Sequence, residues 1–230
     1  MATSKPFETR TVESAGSLVD DKLHPSAEMQ LLVGGPYIAL DGEEHKYGHT
    51  AVRLKTKKFD LTYDFGRYGK TTGMFGESGD GILRVWSDFQ AYIRGENALK
   101  RMTTAFVYSI FDHQAIASKN HFDQLIKGGK ELSGRKTGSM SVYKLATDYH
   151  ALGPNCTTLS VDGAKVAVPR IDYGSEKYNR PEDVLDLKER LALSANGGAS
   201  RLFLPANLQK FLSTASPVRL LRTDVHGGKK

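Results

Sequence analysis

The chain of 230 residues carries one cysteine, Cys156, in the string GPNCTT, and a histidine, His49, opens the string HTAVRL about a hundred residues earlier. A thiol is a strong nucleophile only once ionised, and a nearby imidazole or a helix N-terminus is the usual means of ionising it. A lone cysteine cannot close an internal disulfide, so it is either packing material or a reactive group. Gly153-Pro154-Asn155 is poor material for a core segment, and the run from Thr157 to Val168 predicts a helix that begins beside the sulfur. Together with the histidine, this lead-in favours the reactive role over the inert one.

A base needs a partner of its own. In a strand, His49, Ala51 and Arg53 share one face while Thr50, Val52 and Leu54 share the other. A tight hairpin centred on Lys57 then brings Asp64, or a neighbour, roughly beside His49. A carboxylate there fixes the imidazole tautomer and stabilises the imidazolium formed when the thiol gives up its proton. Asp60 and Thr62 lie on the same face and are the alternatives. The plainer role for Asp64 is to cap the FGRYG turn. His150 is close to Cys156 in sequence and is a second candidate base.

The elements that must position these groups are legible in outline. Residues 1–28 are polar and weakly patterned and predict an N-terminal arm, leaving 29–230 as a single domain. LLVGGPYIAL, GHTAVRLKT and FDLTYDFGRYG are strand-like runs broken by glycine and charged turns. ILRVW and TTAFVYSI are further strands with a polar, helix-compatible connector between them. From Asp112 the spacing of Ala115, Ile116, Phe122, Leu125 and Ile126 becomes helical, with Asp112 as its cap and Gly128-Gly129 as its stop. MSVYKLATDY returns to strand character and leads to the cysteine turn. VLDLKERLAL, stopped by Asn196-Gly197-Gly198, and LPANLQKFLSTAS predict two more helices before a basic tail. The expected class is α+β, an antiparallel sheet with helices packed on one side.

Composition narrows the function. Hydrophobic content of 39% and charged content of 25% describe a globular chain. No apolar run suits a membrane span or a secretory signal, so the expectation is synthesis in the cytoplasm, no stable membrane insertion, and no export by the general route. The net charge of +6 favours an anionic partner, but the basic residues are scattered, with short clusters at Lys55-Lys57-Lys58 and Lys229-Lys230. No nucleic-acid signature accompanies them. DFGRYGKTT ends like a phosphate loop, but Asp64 stands where the motif needs its first glycine. Asp64-Phe65-Gly66 lacks the rest of a kinase. His45 and His49 have helical ligand spacing on a loop and strand, without a companion motif. No metal and no cofactor are expected.

GHTAVRL, YDFGRYG and PNCTT together resemble the circularly permuted branch of the papain-like fold. That branch holds relatives of the NlpC-type cell-wall peptidases, a bacterial membrane-associated family with an Asn-Cys-Thr-Thr motif, and the lecithin:retinol acyltransferase group. In it the histidine strand precedes the cysteine helix, as in residues 30–215 here, and LPANLQKFL is similar to a proline-initiated helix that follows. The resemblance implies Cys156 as nucleophile, His49 as general base and Asp64 as third polar residue, a position where the family often uses histidine. It implies the Cys156 backbone N–H as oxyanion donor, with Asn155, Tyr37 and Tyr149 as oxyanion or cleft residues. The implied activity is hydrolysis of an amide or peptide bond, with peptidoglycan stem peptides (muropeptides) as substrate. The implied setting is an antibacterial effector sent by a type VI secretion machine into the periplasm of target cells, with an immunity protein protecting siblings. A lipid acyltransferase or thioesterase and a catalytically inactive binding module are the alternatives.

Overall fold

The computed structural model describes residues 24–38, 44–72, 78–195 and 198–227. The elements in chain order are β1 (Ala27–Gly34), β2 (Tyr37–Ile38), β3 (Glu44–His45), β4 (His49–Lys55), β5 (Asp60–Thr72), β6 (Ser78–Trp86), α1 (Phe89–Ala98), β7 (Thr103–Ile110), α2 (Asp112–Lys127), β8 (Lys130–Glu131), β9 (Met140–Lys144), β10 (Tyr149–His150), α3 (Cys156–Ala167), α4 (Leu187–Ala195), α5 (Pro205–Ala215) and β11 (Arg222–His226). The fold is α+β. Its main sheet is antiparallel in the order β11-β7-β1-β4-β5-β6-β9-β8, with β10 added to β6.

β1 lies between β7 and β4, and its near-continuous apolar run Leu31-Leu32-Val33 suits burial on both faces. Met29, Leu31 and Val33 join Val52, Leu54, Tyr63, Phe65 and Phe106 in the main core beneath α2, α3 and α5. Leu32, Ala51, Ala105 and Val107 point the other way and pack on Phe89, Tyr92 and Ile93 of α1. Helices therefore cover both faces, not the one side expected. The connector between β6 and β7 is a genuine amphipathic helix, with Phe89, Tyr92, Ile93 and Glu96 buried at helical spacing and Asp88 as its N-cap.

Several boundaries differ from the sequence reading. Ala27 and Glu28, expected in the arm, are the first residues of β1. The cap residue of α2 is Phe111, and Asp112 sits in the first turn, where it accepts a hydrogen bond from Ser26. α4 begins at Leu187 rather than Val184. The segment before the basic tail, unassigned from sequence, is an edge strand whose register runs from Arg222–Val107 to His226–Thr103. Residues 1–23, Leu40 of the first strand-like run, Asn196-Gly197 and Lys229-Lys230 lie outside the described residues.

α3 is the central helix, buried on most of its circumference. Small residues let it approach its neighbours: a Cβ on Gly163 would stand 2.2 Å from the Phe122 ring, which itself stacks on Tyr63 at 4.0 Å. Ser118 bonds the Gly163 carbonyl at 2.8 Å. The same helix is tied to β4 at Thr50, whose hydroxyl meets that of Thr157 at 3.0 Å and whose carbonyl accepts from Ser160 at 3.2 Å.

Candidate active site

His49 begins β4 because of the residue before it. Gly48 has φ +73°, and a Cβ there would stand 2.4 Å from the Gly34 carbonyl oxygen, so only glycine fits this turn. The hairpin that follows pairs Lys55 with Asp60 and Ala51 with Asp64. Asp64 is therefore not directly across from His49 but diagonal to it, on the same sheet face, which is within reach for a histidine. His49 Nε2 lies 2.6 Å from Asp64 Oδ1. The other two candidates are engaged elsewhere. Asp60 holds Arg53 through bonds of 2.7 and 2.5 Å, and the Thr62 hydroxyl is buried without a partner.

Cys156 arrives from the opposite side of the sheet. Asn155 caps α3: its side-chain oxygen accepts from Thr158 N–H at 3.0 Å while Thr158 Oγ1 accepts from Asn155 N–H at 2.9 Å. The Asn155 amide also donates to the carbonyls of Ala151 and Phe203, so this side chain builds the turn and has no donor left for a substrate. The β4–β5 ladder stops at Ala51–Asp64, although β5 runs on to Thr72. Past that point Thr50 faces α3, and its backbone N–H is among the groups that favour a charged cysteine sulfur. The helix layer and the face carrying His49 meet where the ladder ends. Thiol and imidazole are close enough there for each to act on the other's charge, and Asp64 takes the Nε2 side of the ring.

The electrostatics of the pair follow from burial and charge. Cys156, His49 and Asp64 are 5%, 8% and 0% exposed. Burial alone would discharge the imidazole, but the Asp64 carboxylate outweighs it and holds the His49 pKa up to about 10. Burial would likewise raise the thiol, yet the bond and charge of His49, with the Thr50 N–H and Thr157 hydroxyl, bring it below the ordinary cysteine value. Asp64 is held well below the usual carboxylate range against its own burial, first by the Arg84 charge and then by His49. Both directions favour a thiolate beside an imidazolium.

Of the cleft residues, Tyr149 is brought to the sulfur. Its hydroxyl is held protonated by burial and by the nearby cysteine, and its ring packs 5.6 Å from Phe65. Tyr37 instead stacks with Arg101, the guanidinium 4.5 Å from the ring centroid. His150 shapes the turn: its Nδ1 accepts from Leu152 N–H at 3.1 Å and its own N–H bonds the Pro154 carbonyl. A cavity of about 420 Å³ adjoins the Gly153-Pro154 lead-in, between Leu159 and Phe203, and Cys156 and His49 do not line it. DFGRYGKTT is a single stretch of β5 with no helix after it. Among the described residues no group of acidic, histidine or cysteine side chains has a metal-binding arrangement, and no helix is long and apolar enough to cross a membrane.

Sequence reasoning missed Arg84 and Tyr68. Both bind Asp64, Arg84 through Nε at 2.8 Å and Tyr68 through its hydroxyl at 2.9 Å. Asp64 and Arg84 are direct partners in the β5–β6 register. A signal for Tyr68 exists in hindsight: a Cβ on Gly66 would stand 2.5 Å from its ring, so that glycine lets the ring fold back over the strand. The chain matches none of the family models, curated proteins or solved structures with which it was compared.

Proposed function

We propose that this chain is a cysteine hydrolase of the permuted papain-like kind, cleaving an amide or peptide bond. The observation that supports the reading is the buried His49–Asp64 contact at 2.6 Å, on which the pull of Cys156 is also felt, with the cysteine at the first residue of α3. The thiolate attacks the carbonyl carbon, and the negative charge moves to the carbonyl oxygen. The imidazolium gives its proton to the leaving amine as the C–N bond breaks, and the acyl group remains on sulfur as a thioester. His49 then takes a proton from water, whose oxygen displaces the sulfur, and the carboxylic acid product leaves.

The Cys156 N–H at the start of α3 is the backbone donor for the carbonyl oxygen, with the Tyr149 hydroxyl close to the same residue. Peptidoglycan stem peptides are the substrate we favour, in an antibacterial effector delivered by a type VI secretion machine and countered by an immunity protein. The net charge of +6 suits an acidic wall peptide. One observation favours the binding-module alternative: the cysteine is only 5% exposed.

Digestion of purified muropeptides by the chain and by Cys156→Ala and His49→Ala tests the reading. Both variants should lose activity by similar factors while keeping the fold, because nucleophile and base act as a unit. Iodoacetamide labelling at the pH and rate of a free cysteine, with no digestion, would return the chain to the binding-module reading.

A further inference from the structure

Asp64 gives Oδ1 to His49 and Oδ2 to a residue that has no role in the steps above. Arg84 Nε donates to Oδ2 at 2.8 Å, and one terminal nitrogen of the same guanidinium donates to that oxygen as well. That nitrogen also bonds the Tyr68 hydroxyl at 2.5 Å, which in turn donates to Oδ1 at 2.9 Å. The guanidinium lies 3.7 Å from the Tyr68 ring centroid and 5.7 Å from that of Trp86. Arg84, Asp64, His49 and Cys156 thus form one row of ionisable groups, closed in from both faces of the sheet.

In such a place net charge decides which protons stay. With all four groups ionised, two positive and two negative charges cancel. Without the guanidinium, the Asp64 carboxylate is already neutralised by the imidazolium, and a thiolate would leave the cluster negative in a site with little water. The proton then stays on sulfur. Among the described residues no other nearby group replaces that charge. Around the sulfur are the Tyr149 hydroxyl, the Thr50 N–H and the Thr157 hydroxyl, and the exposed Arg67 of β5 acts on Tyr149. Toward the Asp64 end α1 presents Tyr92 and Glu96, and Arg101 follows just after it. Glu96 and Arg101 neutralise each other at 2.7 Å, and burial keeps Tyr68 and Tyr92 protonated.

We propose that Arg84, backed by Tyr68, is a positioning residue of this site: it holds Asp64 and supplies the positive charge that lets thiolate and imidazolium coexist. This rests on the cysteine-hydrolase reading for its catalytic meaning but not for its test. The chain has one cysteine, so thiolate absorbance in the ultraviolet, taken as the difference from the Cys156→Ala protein, follows this sulfur alone. Arg84→Met and Arg84→Gln should shift the titration up by about one pH unit, the effect of a charge roughly 10 Å away at an effective dielectric of about 20. Arg84→Lys, which keeps the charge, should stay within about half a unit of the parent. Arg84→Gln carries the test if Arg84→Met does not fold, since it retains a donor to Oδ2. Titration curves for the neutral variants that coincide with the parent overturn the proposal. So does an Arg84→Lys curve displaced as far as theirs, because geometry rather than charge would then be responsible. Loss of all muropeptide activity with the Arg84 dependence intact overturns the hydrolase reading and leaves this inference standing.

Discussion

Asp64→Asn is the most informative single change, because it acts on chemistry and stability through different partners. Asp64 is the contact that keeps His49 charged, raising its pKa to about 10 against burial. The variant keeps the burial and loses the carboxylate, so the imidazole should discharge below its ordinary value of 6.5. That is a fall of about 3.5 units or more, or roughly 5 kcal/mol of differential stabilisation. Turnover at pH 7–8 should drop on the order of 10²- to 10³-fold, with a much smaller change in KM, because Asp64 does not touch substrate. The basic limb of a pH–alkylation profile should move down with it. The variant also leaves the Arg84 charge, 24% exposed, without its carboxylate. Breaking one side of such a pair costs about 2–3 kcal/mol, read from urea midpoints. Adding Arg84→Met to Asp64→Asn should recover part of that loss while leaving turnover low. Asp60→Asn and Thr62→Val are the controls, since Asp60 serves Arg53 and the Thr62 hydroxyl bonds nothing. If Asp64→Asn kept the parental pH profile and turnover while a control lost them, the electrostatic account of His49 would be refuted.

Four further outcomes follow from the same contacts. Gly66→Ala should push the Tyr68 ring off Asp64 and reproduce the turnover of Tyr68→Phe, a loss of about 3- to 10-fold expected for one hydrogen bond, in a kcat comparison of the two. Tyr149→Phe removes an O–H from the sulfur and should raise the acid limb of alkylation by about one unit, the worth of one hydrogen bond to a charged group. Gly163→Ala should destabilise the fold by about 1–3 kcal/mol in urea titrations, since the new methyl meets the Phe122 ring, without moving the alkylation profile of the folded molecules. The raised pKa of His49 stabilises the fold fully below pH 6.5 and ceases to do so as pH rises through about 10, so the stability gap between the parent and His49→Gln should narrow from pH 7 to pH 11 in chemical denaturation.

What could be read from the sequence is what depends on near neighbours along the chain. The alternation in HTAVRL placed His49 and Ala51 on one face and Val52 and Leu54 on the other, and those faces pack on α1 and on the α2, α3 and α5 layer respectively. The short turn at Lys57-Lys58 tied Asp64 to His49 to within a diagonal, because a hairpin register is set by its own turn. The run from Thr157 to Val168 announced a helix start beside Cys156, and the structure makes Asn155, read as a turn or cleft residue, its cap. Arg84 was beyond such arithmetic: the β5–β6 pairing shifts register between Arg67 and Thr71, and no local pattern announces the size of that shift. Tyr149 reaches the sulfur only because β10 adds to β6 at Gly79, and β11 forms only because β7 lies waiting for it more than a hundred residues earlier. Even the meeting of Cys156 with His49 depends on α3 docking at Thr50 beyond the last pair of the β4–β5 ladder. Residue types and spacing determined which groups were fit for the chemistry. Long-range packing decided their charge states, because burial and the company of Arg84 exist only once the sheet has closed around them.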